Sequence, residues 1–290
     1  MDLSLKDSGR FRPGDYAYFV FSAVLVFLIL SYGRNVQGYI TDAIFQLILC
    51  FIIFYTISYS SVSKSKVLLF LRDWYQMLLL VFNYRSVQPY MHSIQSGWLD
   101  HIVIRIESAI YPVEPSLWFD GISSPLLTEY MKFSYFCYYL ILPVLGFSLY
   151  LKGDRKAFHR LIFTVSVVFY ISYIAFVLFP VQGPRYTFAE QYANKLSGYV
   201  FTPLQDIIMS VGSLHGGCMP SSHVAVALTV LLFAFKYRPR LFYFMLVVVL
   251  SLFVSTVYNR YHYTLDVYAG ILLGLAGYLF LEEYYNKKLF

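Results

Sequence analysis

An all-α bundle of about eight membrane-crossing helices is the fold class this sequence predicts, and three observations carry the prediction. The 290-residue chain is 59% hydrophobic and 20% aromatic, with only 13% charged residues, and its mean hydropathy is positive; soluble domains are far more polar. Apolar runs long enough to cross a hydrocarbon core of about 30 Å recur along it. Its net charge of +6 is spread through the short segments between those runs, as membrane topology requires. The single basic stripe that would suggest a nucleic-acid partner is missing.

The first run, residues 16–33, follows a leader containing Lys6, Arg10 and Arg12. Because Ser31-Tyr32-Gly33-Arg34 offers no small-x-small cleavage site, the run is expected to stay as an anchor. Runs at 41–60 and 67–84 come next. The latter contains Arg72, Asp73 and Gln76, and a charge at a helix centre costs roughly 2.5–3.5 kcal/mol, so Arg72 and Asp73 are expected to reach the interface or to pair with each other. The stretch from Arg85 to Thr128 is too polar to span. Within it, residues 99–107 set apolar groups on one face and charges on the other, which predicts a helix lying in the interface; Pro112, Pro115 and Trp118 then turn the chain back.

Runs at 128–151 and 158–179 lead to a second outer segment, Pro180 to Met219. It carries Gly183-Pro184-Arg185 directly after a span and a short amphipathic stretch from Leu204 to Val211. The last runs, 220–236, 240–257 and 264–283, are joined by very short loops, so their helices are expected to pack closely. The chain divides into N-terminal membrane helices with the interfacial segment, 1–127, and a membrane core, 128–290. With a cytoplasmic N-terminus, eight spans return the C-terminus to the cytoplasm. They also place Arg12, Lys64, Lys66, Arg155, Arg160, Lys236 and Arg238 inside, as the positive-inside rule favours for a plasma or inner membrane.

Two strings carry chemistry, and that topology puts both on the outer side. In Pro220-Ser221-Ser222-His223 a proline opens a helix whose first-turn amides, with the Ser221 and Ser222 hydroxyls, form an anion site. The plainer reading is a serine helix cap. His223 favours the functional reading, because an imidazole one residue inside such a turn donates a proton to a leaving oxygen. In Arg260-Tyr261-His262-Tyr263-Thr264-Leu265-Asp266, His262 and Asp266 are four apart on one helical face. A carboxylate there holds one ring nitrogen protonated and leaves the other free as a nucleophile. The plainer reading is an interfacial histidine in an aromatic belt with a capping aspartate.

Other signals are weak. Cys50, Cys137 and Cys218 are too scattered for a disulfide framework or a zinc site. Neither a Gly-x4-Gly-Lys loop nor a His-Glu-x2-His helix is found, so no metal and no cofactor are expected. His92, His101, His159 and His215 are assigned no role. A transporter would place ionisable groups at mid-span in repeated halves; here they cluster at one membrane face.

The two strings resemble the Pro-Ser-x-His and His-x3-Asp motifs of the type 2 phosphatidic acid phosphatase superfamily, over roughly residues 128–283. The resemblance implies that His262 attacks phosphorus, Asp266 orients it, and His223 protonates the leaving group without a metal. Ser221, Ser222, Arg185 and Arg260 would hold the phosphate. Two motif cations of the phosphatase members are replaced here: Leu178 stands seven residues before Arg185, and Thr256 six before His262. The pattern Tyr261-His262-Tyr263-Thr264-Leu265-Asp266-Val267 is closer to the branch of inositol phosphorylceramide and sphingomyelin synthases. That implies transfer of a lipid headgroup to a lipid hydroxyl, with hydrolysis of a phospholipid or polyprenyl phosphate as the alternative. Partners implied are the lipid substrate and the bilayer; oligomeric state is left open.

Overall fold

The computed structural model describes residues 11–60, 65–212 and 215–288, so Lys6, Arg10 and Lys64 of the expected inner set lie outside the described residues. In chain order the helices are α1 (Pro13–Tyr32), α2 (Tyr39–Ser60), α3 (Lys66–Val87), α4 (Asp100–Ile110), α5 (Pro115–Gly121), α6 (Pro125–Phe136), α7 (Tyr138–Leu151), α8 (Arg155–Leu178), α9 (Pro184–Thr187), α10 (Phe201–Gly212), α11 (Ser222–Tyr237), α12 (Pro239–Tyr258) and α13 (Thr264–Lys288). Among the described residues there are no strands.

Local chemistry sets the starts. Proline occupies the first turn of α1, α5, α6, α9 and α12, where its missing N–H costs nothing. Ser65, Ser124 and Ser221 cap α3, α6 and α11 by accepting from Leu68, Leu127 and Val224, each at 3.4 Å, which satisfies an otherwise orphaned amide. Every expected span is helical. Among the described residues, six segments are long and apolar enough to cross a membrane, with α6 and α7 joined as one. The two expected spans outside that set are α3, whose apolar run is interrupted by Arg72, Asp73, Gln76 and Asn83, and α11. With 16 residues α11 is about 24 Å long at 1.5 Å per residue. It is instead the centre of the bundle, packed against α7, α8, α12 and α13, with Val224, Ala227, Val230, Phe233 and Ala234 fully buried.

The charges of α3 find partners that sequence spacing did not suggest. Arg72 is not paired with Asp73. It is buried against Asp15 of α1, donating from Nη1 at 3.0 Å and also from Nη2. Asp73 is held by Arg12 at 2.6 Å and by Arg155 at 2.8 Å. An intramembrane charge needs such a partner, and these pairs fasten α1 and α3 to α8.

Helix α4 is amphipathic as expected, and it buries two acids beside an apolar residue. Asp100, Val103 and Glu107 are buried, while Ile102, Ile106 and Ile110 are exposed. His101 and Arg105 are exposed together with those isoleucines, a mixed outer face that suits a helix lying in the interface. The acids turn inward because they have partners there.

Candidate active site

The two histidine strings come together because α11 and α13 touch backbone to backbone. A Cβ added at Gly270 would lie 2.6 Å from the Ser221 carbonyl oxygen, and one at Gly274 would lie 2.5 Å from that of Ala225. Glycine at both positions permits this approach, as small residues do between membrane helices. The Ser221 amide then donates to the Asp266 carbonyl at 3.0 Å, linking the first turn of one helix to that of the other. His223 and His262 end with ring centroids 5.7 Å apart.

His262 is 4% exposed. Its Nδ1 lies 3.4 Å from Oδ2 of the fully buried Asp266, an oxygen that also accepts from the Tyr263 amide at 2.9 Å. The His262 and Tyr261 amides both donate to the Thr256 carbonyl, at 3.2 and 3.0 Å, so the loop before α13 is pinned to the end of α12. Across the site, Tyr135 Oη is 2.8 Å from His223 Nε2, and Tyr138 packs on the same ring at 4.3 Å.

Both histidines line a cavity of about 420 Å³, together with Ser222 and Arg185. Its remaining wall is largely apolar, with Leu80, Val81, Leu142 and Phe169 among the lining side chains. One end can meet a charged group and the rest a hydrocarbon chain, which is how sites for amphiphiles are built.

The expected site residues therefore divide. Ser222, His223, His262 and Arg185 share the cavity, and Asp266 stands behind His262. Ser221 is fully buried as the α11 cap. Arg260 is elsewhere: it donates to Asp120 at 2.5 Å and to the Asn194 carbonyl at 2.6 Å, lies 3.8 Å over the Tyr192 ring, and lines a neighbouring cavity. Its φ of 64° is a left-handed conformation uncommon outside glycine.

Sequence reasoning missed the groups that hold this arrangement. Asp100, 5% exposed, accepts from the Gln182 and Gly183 amides, each at 3.0 Å, and from Thr187 Oγ1 at 3.0 Å and Tyr263 Oη at 2.9 Å. It thereby fixes the turn that presents Arg185. That turn needs glycine at 183, where φ is +93° and a Cβ would meet the Tyr261 carbonyl at 2.9 Å. Glu107 accepts from Thr264 Oγ1 at 2.5 Å and the Leu265 amide at 2.8 Å, capping α13; burial nevertheless pushes its carboxyl above the usual range. Lys132 donates to Tyr261 Oη at 3.1 Å. The seven-residue spacing of Asp100 and Glu107, two turns on one helical face, was the available signal.

One set of metal-ligating types lies here among the described residues: Cys218, His262 and Asp266 have ligand atoms within 4.8 Å of one another. The Cys218 thiol donates to the Tyr261 carbonyl at 3.4 Å, and burial, reinforced by the nearby Asp266 and Asp100 carboxylates, pushes its ionisation up. Holding an ion there would require removing that proton.

Comparison with known proteins places this geometry. The chain is 26% identical over 162 residues to a Bacteroides thetaiotaomicron protein named phosphoinositol dihydroceramide synthase, covering 51% of this chain and 53% of the relative. It thus spans about half the length of that relative. No solved structure matches it. The family model described as PAP2 superfamily matches residues 103–280, reaching further toward the N-terminus than the two motifs do and taking in α4 and α5. With more than half of its length matched across both histidine strings, the chain belongs to the PAP2 superfamily of membrane lipid phosphatases and phosphotransferases.

Proposed function

We propose that this protein is a membrane phosphotransferase that moves a lipid phosphate or phosphodiester headgroup to a lipid hydroxyl through a phosphohistidine on His262. The observation that carries the reading is the pair of histidines, one on α11 and one in the loop before α13, lining one cavity whose other wall is apolar. Asp266 facing Nδ1 favours the tautomer that leaves Nε2 as the nucleophile. His262 Nε2 attacks phosphorus, the P–O bond to the leaving alcohol breaks, and His223 gives its proton to that oxygen. In the second half an acceptor hydroxyl returns a proton to His223 and takes the phosphoryl group. Arg185, with Ser222 beside it, supplies charge and hydrogen bonds where the phosphate develops negative charge.

Transfer is preferred over hydrolysis because an apolar wall favours a second lipid over water. Similarity to a protein named as a synthase supports the same choice. On this reading residues 128–290 form the catalytic core and residues 1–127 brace it. The site opens on the extracytoplasmic face of a plasma or inner membrane, with both termini cytoplasmic, and the chemistry requires no metal.

The test measures headgroup transfer between lipids beside phosphate release from phosphatidic acid and polyprenyl diphosphates, with and without chelator. His262→Ala should abolish turnover, and His223→Ala should slow it by about 10²–10⁴-fold, both variants remaining folded and membrane-inserted. Full activity in both variants overturns the assignment. Fast phosphate release with no transfer product replaces the transferase with a phosphatase.

A further inference from the structure

Tyr135 of α6 is buried, 2% exposed, and lines the histidine cavity together with His223 and His262. Its ring is held edge-on by the rings of Tyr261 at 4.8 Å and Tyr139 at 6.5 Å. The hydroxyl so placed meets His223 Nε2 at 2.8 Å and makes no other hydrogen bond among the described residues.

The two nitrogens of His223 are not equivalent. Nδ1 is sealed from solvent and has no hydrogen-bond partner, so no proton enters or leaves the ring by that edge. Nε2 is the edge that remains, and Tyr135 Oη occupies it. Tyr138 also packs on this ring, at 4.3 Å between centroids, but no hydrogen bond joins the two among the described residues. A histidine serving phosphotransfer must give a proton to one alcohol and take one from the next. A phenol donates and accepts at the same oxygen, so Tyr135 can pass both protons while staying neutral.

We propose that Tyr135 is a catalytic residue, the outer member of a two-member relay through which His223 exchanges its proton with the reacting alcohols. The proposal rests on the phosphotransfer reading of the histidine cavity and adds the path of the proton. In the first half His262 Nε2 bonds to phosphorus as the P–O bond breaks. The leaving oxygen takes the Tyr135 phenol proton, and the phenol oxygen takes the proton on Nε2 of the His223 imidazolium. In the second half the acceptor oxygen bonds to phosphorus as the P–N bond breaks. Its proton passes to the phenol oxygen, and the phenol proton passes to His223 Nε2. Tyr135 ends each half neutral, and His223 returns to the imidazolium it began as. A bound phosphate brings the negative charge that favours that imidazolium.

The experiment follows single turnovers of two phosphodiesters by the full-length, detergent-purified protein. Didecyl phosphate must expel decanol, which needs a proton as it leaves; decyl 4-nitrophenyl phosphate expels 4-nitrophenolate, which does not. Tyr135→Phe, which keeps the ring and its packing, should slow decanol release at least about tenfold more than 4-nitrophenol release. Wild-type decanol release, followed through mixtures of H2O and D2O, should fall along a bowed curve, as two protons moving together require. The Tyr135→Phe curve should be straight. Equal slowing of the two releases overturns the relay, and so does a straight wild-type curve, a measurement that needs no variant. Release of neither alcohol by the wild type overturns the phosphotransfer reading and the relay with it. If His262→Ala stops both releases while Tyr135→Phe slows them alike, the relay alone fails.

Discussion

An alanine at Gly270 tests whether the approach of α11 to α13 sets the distance between the two histidines. The new Cβ would lie 2.6 Å from the Ser221 carbonyl oxygen, about 0.8 Å inside ordinary van der Waals contact. The atom it meets belongs to backbone, so no side-chain rotation relieves the clash and the helices must part. A retreat of that size stretches the 3.0 Å bond from the Ser221 amide to the Asp266 carbonyl to about 3.8 Å, beyond hydrogen-bonding range. Overpacking of this kind costs about 1–3 kcal/mol. A displacement of about 1 Å between catalytic groups costs on the order of 10²-fold in rate. Turnover of a lipid substrate that the wild type consumes, measured in detergent beside a thermal melt, should therefore fall by about two orders of magnitude with a lowered midpoint. Gly274→Ala, one turn deeper against Ala225, should act in the same direction. Gly121→Ala, which meets nothing within 4 Å, should stay within about 0.5 kcal/mol of wild type. Wild-type turnover and melting in Gly270→Ala would refute the argument that this contact positions the site.

Three further outcomes follow from the same geometry. Asp100→Asn keeps one acceptor oxygen but turns an N–H toward the donors of the other, leaving the Gln182 or the Gly183 amide unmet at about 1–3 kcal/mol. It should therefore lower kcat/KM for the lipid phosphate tenfold or more, and an unchanged kcat/KM would show that Asp100 does not hold Arg185 in place. Arg72→Ala strands the buried Asp15 carboxylate and should destabilise the fold by about 3–5 kcal/mol, read as loss of a folded detergent-purified species; a wild-type melt would contradict the pairing. Burial pushes the Cys218 thiol up, so it stays protonated at pH 7 and is a poor nucleophile. Maleimide labelling followed by mass spectrometry should find it unmodified at pH 7, with labelling growing only as pH rises toward the raised value; rapid labelling at pH 7 would refute this.

What could be read from the sequence divides along the range of the interactions. The helices were legible because each span needs one contiguous apolar run, and the Ser221 cap was legible because caps act within one turn. The His262–Asp266 pair was legible because the two are only four residues apart, although His262 lies in the loop before α13 and not on the helical face expected for it. Arg72 and Asp15, 57 residues apart, and Arg260 and Asp120, 140 apart, were not, because tertiary packing alone chooses such partners. Helix α4 shows a different failure. Its amphipathic pattern was legible, but not which charges would be buried: Asp100 and Glu107 go where backbone amides await them, while Arg105 stays exposed beside the isoleucines. The low charge content was the available hint that each remaining charge would have an internal task.

The two replaced cations bear on which phosphate the site handles. Leu178 is 50% exposed at the end of α8 and does not line the histidine cavity. Thr256 is fully buried, with its hydroxyl donated to the Phe253 carbonyl at 2.7 Å and its own carbonyl holding the His262 amide. At that position the chain uses backbone to place the histidine and offers no side-chain charge to the ligand. Arg260 is drawn off by Asp120 and Lys132 lies beyond Tyr261, which leaves Arg185 as the cation lining the histidine cavity among the described residues. A phosphodiester brings one negative charge and a monoester up to two, and each uncompensated charge in a site of low dielectric is costly. On the reading proposed above, one cation beside two histidines matches a diester donor better than a monoester.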